Sequence, residues 1–164
     1  MLFLRLGLRV VSARAACRPR SYATSSVTIN RVAPEATVGV REAVLWPGRP
    51  DMCRLAEDAQ GLHLAANVNN DVVGVVSLFV DGAEARFRKF AVLEAHRGAG
   101  VGSRLLQAAE AEAASAGAAH INCDARADTA AAYYEKRGYT AAGPPFAKYA
   151  DSEQLYATMR KPLA

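Results

Sequence analysis

The glycine-rich segment at residues 97–102 has the composition of a phosphate-binding turn. Its sequence is Arg97-Gly98-Ala99-Gly100-Val101-Gly102, and Ser103 follows it. Glycine permits tight turning and lets backbone N–H groups approach a ligand closely. A helix that begins where such a turn ends adds the partial positive charge of its N-terminus. The segment is therefore a candidate anion cradle. On spacing alone, a turn that only reverses the chain is the alternative.

Two common phosphate-binding motifs fit this segment poorly. A P-loop requires Gly-Lys-Ser/Thr at its end, but Gly102 is followed by Ser103 and Arg104. A dinucleotide-binding motif comes nearer, because Asp124 lies about 20 residues further on, where a ribose-binding acid belongs. However, Ser103 occupies the third glycine position, residues 93–97 separate the strand from the first glycine, and only 40 residues follow Asp124. The remaining chain is too short for the other strands of that fold.

The chain before residue 97 is expected to form a strand, a helix and an antiparallel meander. Residues 27–29 alternate like a short strand, and Pro34 suits the first turn of a helix that continues to about Leu45. Two prolines and a glycine in residues 46–51 end that helix. Strand-like runs follow at residues 62–67, 72–80 and 85–92, with hairpin turns predicted at residues 69–71 and at Asp81-Gly82.

After Leu93 the periodicity changes from strand to helix. The glycine-rich segment opens a predicted helix that Gly117 ends, and its apolar face consists of Leu105, Leu106, Ala109 and Ala113. A short strand at residues 118–123, a second helix at residues 129–137 and strands at residues 139–142 and 155–159 complete the order. This succession predicts a mixed α/β sheet.

Two segments together resemble the GNAT family of acetyl-CoA-dependent N-acetyltransferases. The family signature [RQ]-x-x-G-x-[GA] is matched by Arg97, Gly100 and Gly102, and the segment AAAYYEKRGY at residues 130–139 resembles the family's later helix. The resemblance extends over residues 27–164. It implies a single α/β (α+β) domain with a mixed, mostly antiparallel central sheet flanked by helices.

The resemblance also implies where acetyl-CoA, the co-substrate, would bind. Backbone N–H groups of residues 97–102, together with Ser103, would hold the CoA pyrophosphate. The end of the preceding strand would hydrogen-bond the pantetheine arm like an added strand. The Val92 N–H would then lie close to the thioester carbonyl and stabilise developing oxyanion charge. No metal is expected at this site.

The implied reaction is direct attack of a primary amine on the thioester carbonyl. Tyr134 lies four residues before Gly138 and matches the family's usual general acid, which protonates the departing thiolate. Tyr133 is expected to pack the helix on the sheet. Arg126 or Asp128 would contact the cofactor, whereas Ala127 stands where many family members carry Asn.

The general base does not follow from the resemblance. Between Glu84 and Glu94 the strand carries no acidic residue, so either glutamate or a water relay is compatible with the sequence. Strand alternation places Arg86, Arg88 and Phe90 on one face, and Phe87 and Lys89 on the other. The arginine face either lines the acceptor site and favours an acidic substrate, or is a solvated and salt-bridged strand face.

The first 22 residues differ in charge from the rest of the chain. The whole 164-residue chain carries a net charge of +4, but residues 1–22 contain five Arg and no acid. Residues 23–164 therefore contain 15 Lys+Arg against 16 Asp+Glu, a net charge of −1. An Arg-rich, acid-free, amphipathic start is typical of a mitochondrial presequence. We expect cleavage after Tyr22, an acetyltransferase domain at residues 23–164 and a mitochondrial matrix location; a basic tail without an import role is the alternative.

Charge, hydropathy and cysteine content restrict the other classes of function. A nearly neutral domain gives little support to a nucleic-acid partner. No uninterrupted apolar run is long enough to predict a membrane segment. Cys17, Cys53 and Cys123 have no CxxC spacing, and the three histidines are scattered, which argues against a disulfide framework or a zinc site.

Two functions from different classes remain. The first is an N-acetyltransferase acting on acetyl-CoA and an amine acceptor, as a monomer or homodimer. The second is a non-catalytic acyl-CoA-binding module, which would keep the glycine loop without turnover. Tyr134 favours catalysis, whereas the absence of an obvious carboxylate base leaves room for the binding module.

Overall fold

One eight-stranded sheet with helices against both faces organises the chain. The computed structural model describes residues 26–150 and 152–163. The presequence and its cleavage site therefore lie outside the described residues. The strands are β1 (Thr28–Val32), β2 (Leu62–Val68), β3 (Asp71–Asp81), β4 (Glu84–Val92), β5 (His120–Arg126), β6 (Thr140–Ala141), β7 (Phe146–Ala147) and β8 (Leu155–Pro162). The helices are α1 (Val38–Leu45), α2 (Val101–Ser115) and α3 (Ala131–Glu135).

The sheet is mixed but mostly antiparallel. Its strand order is β1-β2-β3-β4-β5-β8-β6, and β7 also pairs with β8. Among the described strands, β4 and β5 are the only parallel pair, because α2 carries the chain back across the sheet between them. The predicted fold class, a mixed and mostly antiparallel sheet flanked by helices, is confirmed.

Two hydrophobic clusters lie on opposite faces of the sheet. The larger cluster packs beneath α2 and α3 and contains Leu105 and Leu106, which are 0% and 1% exposed. Full burial of one such leucine contributes about 1.5–3 kcal/mol. The smaller cluster packs beneath α1 and contains Val40 together with Val75. The neighbouring Val76 belongs to the larger cluster, as the alternation of a strand requires.

The hairpin turns were predicted correctly, whereas the second predicted helix is shorter than expected. Asn69 and Asn70 adopt φ of 52° and 69°, and Gly82 adopts 54°, as these turns demand. The helix predicted over residues 129–137 is α3, Ala131–Glu135, because a turn precedes it and Gly138, at φ 85°, ends it. The strand predicted at residues 139–142 is reduced to β6.

A β-bulge in β4 overturns one predicted alternation. Ser77 pairs with Arg88 and Val75 pairs with Ala91, so Lys89 and Phe90 together oppose a single residue of β3. Lys89 has φ of 54°, the left-handed region. Because of the extra residue, the side chains that follow it point to the opposite faces of the sheet from those predicted.

The bulge therefore exchanges the faces of Phe90 and Lys89. Phe90, predicted beside Arg86 and Arg88, instead stacks on Phe87 with ring centroids 6.2 Å apart. Lys89, predicted beside Phe87, instead turns to the α1 side, where its Nζ donates to the Met52 carbonyl. The predicted sheet faces of these two side chains were both wrong.

Candidate active site

A cleft opens between β4 and β5 where the two strands stop pairing. Their ladder joins Glu84 to Arg86 with His120 to Asn122 and does not continue beyond Arg86. The cleft has a volume of about 470 Å³ and is lined from both faces of the sheet. Phe87, Phe90 and Tyr134 line it from the α2–α3 side, and α1 contributes Val44 and Leu45 from the other.

The glycine-rich segment forms the turn into α2, as predicted. Gly98 and Gly100 adopt φ of 77° and 80°, a region that disfavours side chains. Gly100 is the N-cap of α2, and no side chain caps this end of the helix within the described chain. The N–H groups of Val101, Gly102 and Ser103 therefore have no acceptor inside the helix. The arrangement fits an anionic group at this turn.

The third glycine of the turn is required for close packing. A Cβ atom on Gly102 would lie 3.0 Å from the Tyr133 hydroxyl and 3.4 Å from the Phe90 ring. Ser103, next in the helix, accepts a hydrogen bond of 2.8 Å from Arg137. Arg137 also lies 3.6 Å above the Tyr133 ring. Arg137 thus braces the start of α2 against α3, a role that nothing in its spacing predicted.

Val92 lies at the end of β4, beside this turn. The Leu93 N–H donates to the Val73 carbonyl at 2.9 Å, and Gly74 is the partner of Val92. Because neighbouring residues of an antiparallel ladder point in opposite directions, the Val92 N–H and carbonyl point away from β3, toward the β5 side. The Arg97 Nε donates to that carbonyl at 3.0 Å. Arg97 thus fixes the strand end, and its side chain also lines the cleft.

Tyr134 is buried at the cleft wall, with 7% of its surface exposed. Its ring packs 5.6 Å from the rings of Phe87 and Tyr139. Burial, followed by the neighbouring Cys123, raises the pKa of the Tyr134 hydroxyl well above its usual value. The hydroxyl therefore stays protonated at physiological pH and is available as a donor. Tyr133, in contrast, packs on Phe90 at 5.9 Å and does not line the cleft.

Cys123 is a cleft residue whose position the sequence reasoning missed. It lies on β5 and lines the cleft, and its thiol neighbours the Tyr134 hydroxyl. Burial raises the pKa of the Cys123 thiol to about 12, so it is not a nucleophile at neutral pH. The thiol is instead a sulfur acceptor placed beside the tyrosine hydroxyl. Cys53, the other free cysteine among the described residues, is buried elsewhere.

The two glutamates considered as general bases do not line the cleft. Glu84 lies at the opposite end of β4, where Arg160 and Asn122 hydrogen-bond its carboxylate. Glu94 begins a short 3-10 turn. Among the described residues that line the cleft, Asp124 is the only carboxylate.

Asp124 is held in its charged form by its neighbours. Burial alone would raise its pKa, but hydrogen bonds from Lys148 and Thr158 and the charge of Arg86 lower it below the ordinary value. Lys148 approaches at 2.8 Å, and Arg86 forms a second ion pair with the same carboxylate. A carboxylate with a lowered pKa is a weak base. Asp124 is therefore a poor candidate for the general base.

The arginine face of β4 is salt-bridged and also borders the cleft. Arg86 is ion-paired with Asp124, and Arg88 with Glu57. Both arginines also line the cleft. Of the two residues considered for cofactor contact, Arg126 lines the cleft as well, whereas Asp128 is hydrogen-bonded by Gln154.

The wall of the cleft on the α1 side rests on a buried polar network that the sequence did not reveal. Arg41 of α1 is completely buried and donates to both oxygens of Asp58, at 2.8 and 3.1 Å. It also donates to the Cys53 carbonyl at 2.7 Å and to Ser77. Ser77 lies 2.8 Å from His63 Nδ1. The network thereby fixes the segment between α1 and β2 against the sheet.

Residues 26–150 and 152–163 contain no cluster of metal-binding side chains and no helix that could cross a membrane. No group of three or more His, Cys, Asp or Glu side chains comes together there in a way that could hold a metal ion. No helix in the same residues is long and apolar enough to cross a membrane.

The chain is similar in sequence to acetyltransferases. A family model described as an acetyltransferase (GNAT) domain matches residues 59–141, which include β4, the glycine turn and α3. The uncharacterized N-acetyltransferase YitI of Bacillus subtilis (strain 168) is 29% identical over 128 residues, covering 72% of this chain and 85% of that protein.

Solved structures share the fold. A candidate N-acetyltransferase from Lactobacillus plantarum has a TM-score of 0.75 at 24% identity, covering 85% of this chain and 99% of that chain. The ribosomal-protein-S18-alanine N-acetyltransferase from Escherichia coli has a TM-score of 0.70 at 21% identity, covering 85% of this chain and 95% of that chain. These likenesses concern the arrangement of the sheet and its helices.

Proposed function

The chain belongs to the GNAT acetyltransferase family and is an acyltransferase, and on that premise we propose that it transfers an acetyl group from acetyl-CoA to a primary amine. The observation that carries the proposal is the buried Tyr134 hydroxyl, which lies in a cleft lined also by Arg97 of the glycine turn. An acid group in a cleft that reaches Arg97, the first residue of the glycine turn, suits a phosphate-bearing thioester.

The glycine turn suits the pyrophosphate of CoA. Its backbone N–H groups at Val101, Gly102 and Ser103 lack acceptors inside α2, and the helix N-terminus favours negative charge. Arg97 and Arg137 add positive charge at the same turn. The edge of β4 beyond Arg86 is free of β5 and suits the pantetheine arm as an added strand. When bound, acetyl-CoA supplies a thioester carbonyl that amines can attack.

Val92 and Tyr134 have different roles in the acetyl transfer. The Val92 N–H donates to the carbonyl oxygen, where negative charge develops as the amine nitrogen bonds to the carbonyl carbon. The C–S bond breaks and the electron pair leaves with the sulfur. Tyr134, whose hydroxyl stays protonated at neutral pH, donates that hydrogen to the sulfur. Water takes the excess proton from the amine nitrogen, and a proton from solvent restores the Tyr134 hydroxyl.

Two measurements test this function. Calorimetry determines whether acetyl-CoA binds, and a free-thiol assay with a panel of amines determines whether turnover occurs. Amine-dependent thiol release supports the acetyltransferase. Binding without such release supports the non-catalytic acyl-CoA-binding module, which the ion-paired state of Asp124 favours because it leaves no free carboxylate base in the cleft. Absence of binding contradicts both functions.

We further propose that residues 1–22 direct the protein to the mitochondrial matrix. The five arginines and the absence of acids in these residues support the proposal. Expression of residues 1–30 fused to a fluorescent protein tests it, with a matched fusion in which the five arginines are replaced by glutamine. Equal distribution of the two fusions in the cell would contradict it.

A further inference from the structure

The cleft carries far more positive than negative charge on the side that faces α1. Phe87 points to α2 and α3, so the residues that flank it in β4, Arg86 and Arg88, face the other way. The bulge turns Lys89 to the same side. The cationic side chains that border this part of the cleft are Arg86, Arg88, Lys89, Arg126 and Lys148.

Ion pairs neutralise only part of this charge. Arg86 and Lys148 share the carboxylate of Asp124, and Arg88 pairs with Glu57 from the segment before β2. Five cationic side chains against two carboxylates leave an excess of three positive charges. No other carboxylate lines the cleft among the residues that the structure describes.

Lys89 is a partly buried cation whose contacts are with neutral groups. Its Nζ donates to the Met52 carbonyl and lies 5.5 Å from the centre of the Trp46 ring, but no carboxylate pairs with it in the described chain. Burial, together with the charges of Arg41 and Arg88, lowers its pKa. A partly buried cation without a counter-ion is unfavourable, so an anion bound beside it would be stabilising.

Arg126 provides a second uncompensated cation at the end of β5. Its side chain is exposed, lines the cleft and forms no ion pair within the described chain. A guanidinium presents several donors in one plane, which matches the oxygens of a carboxylate or a phosphate. Lys89 and Arg126 thus come from β4 and β5, the two strands that separate to form the cleft.

We propose that the amine acceptor carries an anionic group, a carboxylate or a phosphate, which binds between Lys89 and Arg126. This inference rests on the proposed acetyl transfer. The positive field also explains how the cleft acts without a carboxylate base. Nearby cations lower the pKa of a bound ammonium group, so a larger fraction of the acceptor is the neutral, nucleophilic amine. A purely cationic acceptor would be repelled by the same field.

Matched amine pairs test the inference by thiol release. The pairs are β-alanine against β-alaninamide, and aminoethyl phosphate against ethanolamine; spermidine is the cationic comparison. We expect kcat/KM to be at least about tenfold higher for the anionic member of one pair, and this advantage to shrink between about 50 and about 300 mM salt. Which pair shows the advantage distinguishes carboxylate from phosphate.

Variants test whether Lys89 and Arg126 cause the preference for anionic amines. The double variant Lys89→Met/Arg126→Gln should reduce the anionic preference by about tenfold. Lys136→Gln, which removes an exposed cation outside the cleft, should keep it. If the double variant does not fold, Arg126→Gln alone serves, because its side chain is exposed.

The outcomes separate this inference from the proposed function. Equal or faster turnover of the neutral members overturns the inference and leaves the acetyltransferase standing. A preference that survives in the variants also overturns it. Binding of acetyl-CoA without turnover of any amine overturns both.

Discussion

Replacement of Tyr134 by phenylalanine separates its chemical role from its packing role. The variant removes one hydroxyl and keeps the ring that packs against Phe87 and Tyr139 at 5.6 Å. A general acid contributes about 10²–10⁴-fold to a rate. At about 1.36 kcal/mol per factor of ten, this is about 2.7–5.4 kcal/mol of barrier.

The expected loss of stability is much smaller. The hydroxyl lies beside the neutral thiol of Cys123, and even a full hydrogen bond there would contribute only about 0.5–1.5 kcal/mol. For a chain of this size, that free energy corresponds to a fall in Tm of a few degrees, about 2–4 °C per kcal/mol. We therefore expect Tyr134→Phe to fold normally and to lose kcat.

Tyr139→Phe is the matched control. Its hydroxyl donates to Glu110 at 2.9 Å and does not line the cleft. A hydrogen bond to a carboxylate contributes about 1.5–3 kcal/mol, so this variant should lose more stability than Tyr134→Phe while kcat is kept. The assay is amine-dependent thiol release, with calorimetric Kd for acetyl-CoA to separate binding from chemistry.

Two results would refute the reasoning. A kcat of Tyr134→Phe within about threefold of the wild-type value would show that the hydroxyl is not the acid, because general acids contribute far more. Equal losses of kcat in the two variants would show that disturbed packing between the rings, and not the missing proton donor, lowers the rate.

The remaining predictions concern the glycine turn, the buried network and acid stability. Gly102→Ala, whose Cβ would lie 3.0 Å from the Tyr133 hydroxyl, should raise the calorimetric Kd for acetyl-CoA about tenfold. The control is Gly39→Ala in α1, whose Cβ would meet nothing within 4 Å. It should leave Kd unchanged and add about 0.5–1 kcal/mol of stability. Arg41→Met should cost about 3–5 kcal/mol in urea unfolding, and a loss below about 1 kcal/mol would contradict the network. Burial alone would raise the pKa of Asp58, but hydrogen bonds from Arg41 and a backbone N–H lower it. Stability from this carboxylate is thus present above the ordinary aspartate pKa of about 3.9 and is lost as pH falls through the lowered value, so Asp58→Asn should flatten the acid limb of unfolding.

The features that the sequence predicted correctly have local causes. Asn69, Asn70 and Gly82 tolerate positive φ, and the hairpins form where these residues stand. The glycine turn and α2 likewise follow from Gly100 and the apolar residues after it, because helix start and periodicity are local properties. Local signals of this kind define most of the sheet and the start of α2.

The features that the sequence did not predict arise from contacts between distant segments. Nothing local marks Lys89 for a left-handed conformation; pairing with β3 imposes it. Arg41 is charged yet completely buried, because Asp58, 17 residues further along the chain, neutralises its charge. Cys123 and Arg137 acquire their neighbours only when β5 and α3 pack beside the cleft.

The bulge in β4 makes strand length a determinant of chemical specificity. With one residue fewer between Arg88 and Ala91, the alternation would run unbroken, and the single side chain left between them would face α2 and α3. Relatives of this enzyme that share every nearby residue type but lack the inserted position would therefore present a different surface to their amines. A comparison of substrate range among such proteins therefore has to consider insertions and deletions as well as substitutions.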